Sequence, residues 1–76
     1  MRILIHPRED AEGGNNLGDD VRKALEVLRT AYIDTEGGGT VGSNGTATGV
    51  VMIRHDSDLA KALATLSKAG IRASTP

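Results

Sequence analysis

The most regular pattern of apolar and polar positions runs from Gly49 to Ser74. Val50, Val51, Met52 and Ile53 form a continuous apolar run rich in β-branched residues, which suits a strand buried on both faces. Leu59, Ala62, Leu63 and Leu66 then recur at i, i+3, i+4 and i+7, one stripe of a helix. Asp56 or Ser57 is placed to cap that helix with a side-chain oxygen, and Asp58 adds negative charge near its positive end. Lys68 falls in the last turn, Gly70 can take the left-handed conformation that ends a helix, and Ile71 opens the next strand. The stretch therefore predicts strand, helix and strand joined by tight turns.

Upstream the chain reads as a longer, looser version of the same unit. Met1 to His6 predicts a first strand, with Ile3 and Ile5 on one side and Leu4 and His6 on the other. Pro7 has no N–H for a ladder and should end it. Arg8 to Gly18 is charged, then rich in Gly and Asn, and predicts a flexible loop. A helix is expected from Asp19, as cap, to about Thr30, with Val21, Ala24, Leu25 and Leu28 as its apolar stripe. A strand should follow from about Tyr32. Glu36 to Gly49 carries six of the ten glycines. It predicts either an irregular loop or, preferred here, a hairpin turning at Asn44-Gly45 with a flexible Gly37–Gly39 section.

The element order is thus β-α-β-β-α-β, an α+β chain of the ferredoxin-like plan. Its sheet should be four-stranded and mainly antiparallel, with both helices on one face and loops at about 8–18 and 36–49. The first and third strands should be central neighbours, and they are expected to run parallel. These are the two strands with apolar residues on both faces. Helices cover one face only, so the other needs a partner, and a second copy is the simplest one. A homo-oligomer is expected through that open face, with a dimer preferred.

Composition sharpens this expectation. Seventy-six residues make one small domain, and a chain of this size buries a small core. Cys is absent, which removes disulfides and thiolate chemistry, and the absence fits the cytoplasm. With no Trp or Phe, the core must be aliphatic. The apolar runs are too short for a signal peptide or a membrane span. A net charge of −1 with both signs dispersed argues against a general nucleic-acid binder.

Candidate chemistry is sparse. The glycines of the first loop match neither G-x-G-x-x-G nor a phosphate loop ending in G-K-[ST]. If the central strands were parallel, His6 and His55 would share one edge of the sheet, each beside an arginine, Arg8 or Arg54. The helix N-termini would meet them there. Such an edge could bind an anion through arginine, helix N–H groups and a histidine titrating near neutrality. Ordinary polar residues at strand ends are the plainer and weightier reading. The candidate ligand-binding set is Arg8, Gly13, Gly14, Asn15, Asn16 and Gly18 of the first loop, Gly37 and Gly38 of the second, and Arg54, His55 and Asp56. A small or anionic ligand is the expected occupant. His6, His55 and Asp56 lack a third firm partner for a metal, and no metal or other cofactor is expected. Ser43, Ser57, Ser67 and Ser74 have no evident base partner, and no catalytic constellation stands out, so the chain does not read as an enzyme.

The residues VVMIRHDSDLAKALATLSKAGIRAS look like the second half of an ACT domain, and KALEVLRTAYID resembles its first helix and second strand. The resemblance covers about Asp20 to Ser74 and implies a ferredoxin-like regulatory module that pairs side by side and often binds amino acids. Its ligand usually sits near the loop after the first strand. Here that loop is the stretched Arg8–Gly18, without the usual short acidic-Pro-Gly turn. A second resemblance is to PII-like nucleotide-sensing proteins, on TEGGGTVGSNGTATGVVMI. It implies the same topology, a trimer and a nucleotide ligand.

Overall fold

A computed structural model of the chain describes residues 1–7, 17–42 and 47–76. The elements are β1 (Arg2–Ile5), α1 (Leu17–Thr30), β2 (Thr35–Val41), β3 (Thr48–Ile53), a 3-10 turn (Asp56–Asp58), α2 (Leu59–Lys68) and β4 (Ala73–Ser74). The strands form one sheet in the order β2-β3-β1-β4, with every neighbouring pair antiparallel. This is the ferredoxin-like βαββαβ arrangement.

The central pair β1 and β3 is antiparallel, which corrects the expectation that it runs parallel. The reason is topological. The α1 crossover returns the chain so that β2 runs with β1, and the connection from β2 then reverses β3. His6 and His55 each follow the C-terminal end of their strand, so they lie at opposite ends of the sheet. The two helix starts, one after β1 and the other after β3, are likewise at opposite ends.

Burial alternates along both central strands, as period-2 geometry requires. Ile3, Ile5, Val51 and Ile53 point to the helices and are fully buried. Leu4, Val50 and Met52 point the other way and are only half-buried. Across the helix face the core is closed by Leu17, Val21, Ala24 and Leu28 of α1, Ala62 and Leu66 of α2, and Ile33 and Ile71. It contains no aromatic ring. Leu17 is buried inside the first turn of α1, so the helix starts two residues before the expected Asp19 cap. Gly18 is therefore helical rather than part of the loop, and Asp19 and Asp20 occupy the first turn.

Both helices end in the same way. At α1 the Tyr32 N–H donates to the Arg29 carbonyl at 3.0 Å, and the Ile33 N–H to the Leu28 carbonyl at 2.9 Å. At α2 Gly70 donates to Ser67 at 3.0 Å, and Ile71 to Leu66 at 3.0 Å. These are two Schellman closures, in which a left-handed residue turns the chain and the next apolar residue packs back on the helix. LRTAYI and LSKAGI are the matching segments. The left-handed position is Gly70 (φ 78°) in one and Tyr32 (φ 62°) in the other. The expected strand at Tyr32 is displaced by this turn and begins at Thr35.

A left-handed non-glycine residue costs about 1–2 kcal/mol, and Tyr32, 94% exposed, recovers little by packing. Glycine loses some of that gain to its greater unfolded-state entropy. Tyr32→Gly is therefore expected to stabilise the fold by about 0.5–1 kcal/mol, a rise in Tm of roughly 2–8 °C for a domain of this size. Thermal unfolding followed by circular dichroism checks it, and an unchanged or lower Tm would show that the tyrosine is held by something else.

Gly37–Gly39, expected as a flexible section, belong to β2 and pair with β3: Gly37 with Met52, Gly38 with Val51, Gly39 with Val50. The ladder carries a one-residue irregularity between Thr35 and Gly37, where Glu36 is the extra residue and Gly37 has φ 131°. The expected turn at Asn44-Gly45 lies outside the described residues.

Candidate functional site

The Arg54–Asp56 corner is built where β3 ends and β2 begins. The Arg54 N–H donates to the Asp34 carbonyl at 3.1 Å, which draws the two chain segments together. Arg54 Nε then stands 3.7 Å from Glu36 Oε1, and His55 Nε2 stands 3.4 Å from Asp34 Oδ2. The second contact is an ion pair only when the imidazole is protonated. All four side chains are between 46% and 70% exposed, so each pair contributes about 0–1 kcal/mol. Asp56 and Asp58 adjoin them in the 3-10 turn. This short stretch thus holds four carboxylates against one arginine and one histidine. The corner is acidic, its cations are already occupied, and an anion would meet repulsion there.

The helix after this corner lacks the expected side-chain cap. Asp56 and Ser57 lie in the 3-10 turn, and the cap position of α2 falls to Asp58, whose side chain makes no cap hydrogen bond. The Asp58 N–H instead donates to the His55 carbonyl at 3.0 Å. Of the other candidates, Arg8, Gly13, Gly14, Asn15 and Asn16 lie outside the described residues. Gly18 is in the first turn of α1, which follows β1 and so starts at the opposite end of the sheet from Arg54, and Gly37 and Gly38 are in β2. The structure thus brings Arg54, His55 and Asp56 together near Glu36 and Gly37 but separates them from Gly18. Among the described residues no group of three His, Asp or Glu side chains is placed to hold a metal ion.

A contact that the sequence reading missed joins His6 to Ser74. His6 Nε2 and Ser74 Oγ are 2.6 Å apart and partly buried. This corrects the statement that Ser74 has no base partner. A serine hydroxyl on a histidine nitrogen is the first half of an acyl-transfer apparatus, which also needs a group to orient the ring and donors for an oxyanion. Among the described residues nothing hydrogen-bonds the other ring nitrogen. The pair has a sufficient structural role. β4 is two residues long, and it is tied to β1 by the Leu4–Ser74 and Ile5–Ala73 pairings and by the His6 N–H, which donates to the Arg72 carbonyl at 2.8 Å. The signal for the contact was topological: antiparallel β1 and β4 put Ser74 opposite Leu4, on the same face as His6.

The open sheet face is covered by no helix among the described residues. Leu4, Val50 and Met52 form its half-buried apolar centre. Arg2, Gly37, Gly39, Val41, Val50, Met52 and Glu36 border a shallow depression of about 390 Å³ on it. Val41 at its margin is 59% exposed. Among the described residues no helix is long and apolar enough to cross a membrane.

The fold is therefore an α+β sheet of ferredoxin-like type with one face that no described element covers. Comparison with models of protein families, with curated proteins and with solved structures finds no match for the chain.

Proposed function

We propose that this chain is a small homo-oligomeric regulatory domain of ACT-like type, whose working surface is the open face of its sheet. The observation that carries the reading is the half-buried row Leu4, Val50 and Met52, which no element among the described residues covers. A second copy would complete the layer that the helices leave unfinished. Six such side chains in a dimer, each contributing roughly 1 kcal/mol on completing its burial, offer about 6 kcal/mol. This is comparable to the cost of association. The pairing is accordingly weak and concentration-dependent, as suits a domain that responds to a ligand. An amino acid is the ligand class that the resemblance supports. The acidic corner at Arg54–Asp56 disfavours an anionic ligand and so weighs against the PII-like, nucleotide-binding alternative.

The same corner supports a second reading, a protein-interaction module with no small ligand, because its arginine and histidine already face carboxylates of the chain. Two measurements separate the readings. Sedimentation of the full chain is expected to show self-association that Val50→Asp abolishes while the monomer stays folded. Thermal-shift screening is expected to find stabilisation by amino acids, worth about 2.7 kcal/mol at a hundredfold excess over Kd. Stabilisation by nucleotides alone would overturn the amino-acid version, and no response to either class would favour the interaction module.

A further inference from the structure

The His6–Ser74 pair is explained by β4 docking, and the arginine and histidine of the acidic corner already face Glu36 and Asp34. The open face carries more. We propose that it docks on a second copy about a two-fold axis running along β3, so that Leu4 of each copy sits over the partner's Gly39 and Arg2 lies beside the partner's Glu36. This rests on the pairing reading above and specifies its geometry.

Leu4 pairs with Val50, and Val50 with Gly39 on its other side. Arg2 pairs with Met52, and Met52 with Gly37. Across β1, β3 and β2 each row therefore steps from a long side chain through an intermediate one to none. A 180° rotation about an axis along β3, lying between two stacked sheets, keeps β3 over β3 and exchanges β1 with β2 at the same height. Leu4 then meets the gap at Gly39, and the second row brings Arg2 to the Glu36–Gly37 bulge. An axis between β1 and β3 would instead stack Leu4 on Val50 and leave the glycines unused.

Gly39 makes this more than geometric convenience. Gly37 needs its glycine for φ 131°. At Gly38 an added Cβ would lie 2.7 Å from the Val50 carbonyl oxygen, and at Gly49 it would lie 2.5 Å from Val21. At Gly39 an added Cβ meets nothing within 4 Å, and φ is not positive. Glycine weakens the interior of a strand, and nothing among the described residues requires it at this position. Docking by a bulky side chain from outside does. The charges agree. Arg2 is exposed with no partner among the described residues, whereas Glu36 shares Arg54 at a loose 3.7 Å and keeps acceptor capacity. The apolar strip thus carries a cation at one side and an anion at the other, an arrangement complementary to itself under the rotation.

Three strands about 4.8 Å apart and six residues of about 3.3 Å give a projected footprint of about 14 by 20 Å. This is well below the ~800 Å² per partner of a standard interface, so the dimer is weak. The test is sedimentation equilibrium of the full chain up to about 1 mM, with thermal unfolding of every variant. Gly39→Leu is expected to leave the monomer's Tm unchanged or higher, yet to raise the dimer Kd at least about tenfold by filling the seat. Arg2→Glu and Glu36→Arg are each expected to raise it about fivefold. An equimolar mixture of those two should associate nearly as well as the wild type, because both rotated contacts then join opposite charges. Gly39→Ala tests the same seat with the smallest addition and should weaken association in proportion. A wild-type dimer indifferent to Gly39→Leu, or a mixture no tighter than its components, would overturn this docking and leave the pairing reading standing. A wild type that stays monomeric throughout would overturn both.

Discussion

Leu66→Ala is expected to remove about 2–5 kcal/mol of stability, from a domain whose total is about 4–11 kcal/mol at this chain length. Leu66 is fully buried among the aliphatic residues between α2 and the sheet. No aromatic ring stands near to swing into the space it would leave, so the cavity should persist rather than collapse. The same residue accepts the closing hydrogen bond of α2 through its carbonyl, but that bond survives the substitution because it is backbone. The loss is therefore a packing loss. Urea unfolding should show a midpoint lowered by roughly a fifth or more with an unchanged slope. Leu63→Ala, only partly buried, should lose less than half as much. Equal effects at the two positions would contradict the assigned helix face.

The second large effect comes from adding an atom. In Gly49→Ala the new Cβ would lie 2.5 Å from Val21 Cγ2 and 2.9 Å from Ile5 Cβ. Neither neighbour yields easily. Val21 is β-branched, with one strongly preferred rotamer in a helix, and Ile5 is fully buried in the central strand. Overpacking of this kind costs about 1–3 kcal/mol. If the contact with Val21 is the cause, Val21→Ala should relieve much of it, and the double variant should be more stable than the sum of the single effects predicts. A double-mutant cycle by chemical denaturation measures that coupling, expected at about 0.5–3 kcal/mol. Additive effects would mean that Gly49 is required for another reason.

Some of this architecture was legible in the residues, and the divisions have physical causes. The Gly49–Ser74 unit was read correctly in outline because several independent signals coincide there: an apolar run, a 3.6-residue stripe and Gly70 at the helix end. The first helix was misjudged at its start because Asp19 is a good cap by type, while Leu17 declares itself only through burial. The Gly37–Gly39 segment gave no strand signal because it has no side chains to alternate; its pairing with β3 is a property of the backbone. Strand direction was misread because periodicity is the same in either direction. Only the sequence of crossover and reversal fixes it, and that places His6 and His55 at opposite ends. The charged neighbours of Arg54 and His55 were equally invisible, since Asp34 and Glu36 come from the preceding strand region. The His6–Ser74 contact spans 68 positions and follows from register alone.

The two faces of the sheet also account for the glycines differently. Gly38 and Gly49 let α1 lie close on the helix side, where Val21 approaches both. Gly39 lies on the other face, where an added Cβ meets nothing among the described residues within 4 Å and where the docking of a second chain is proposed. The two kinds of glycine should therefore respond oppositely to alanine. On the helix side the substitution harms folding; on the open side it spares folding and harms association.

The most direct test is sedimentation equilibrium of the wild-type chain and Val50→Asp across about 1 μM to 1 mM. The expected result is a weight-average mass that rises from monomer toward dimer with concentration in the wild type and stays at monomer in the folded variant. A wild type that remains monomeric over the whole range, or an association that Val50→Asp leaves intact, would contradict the assignment of the open face as the working surface.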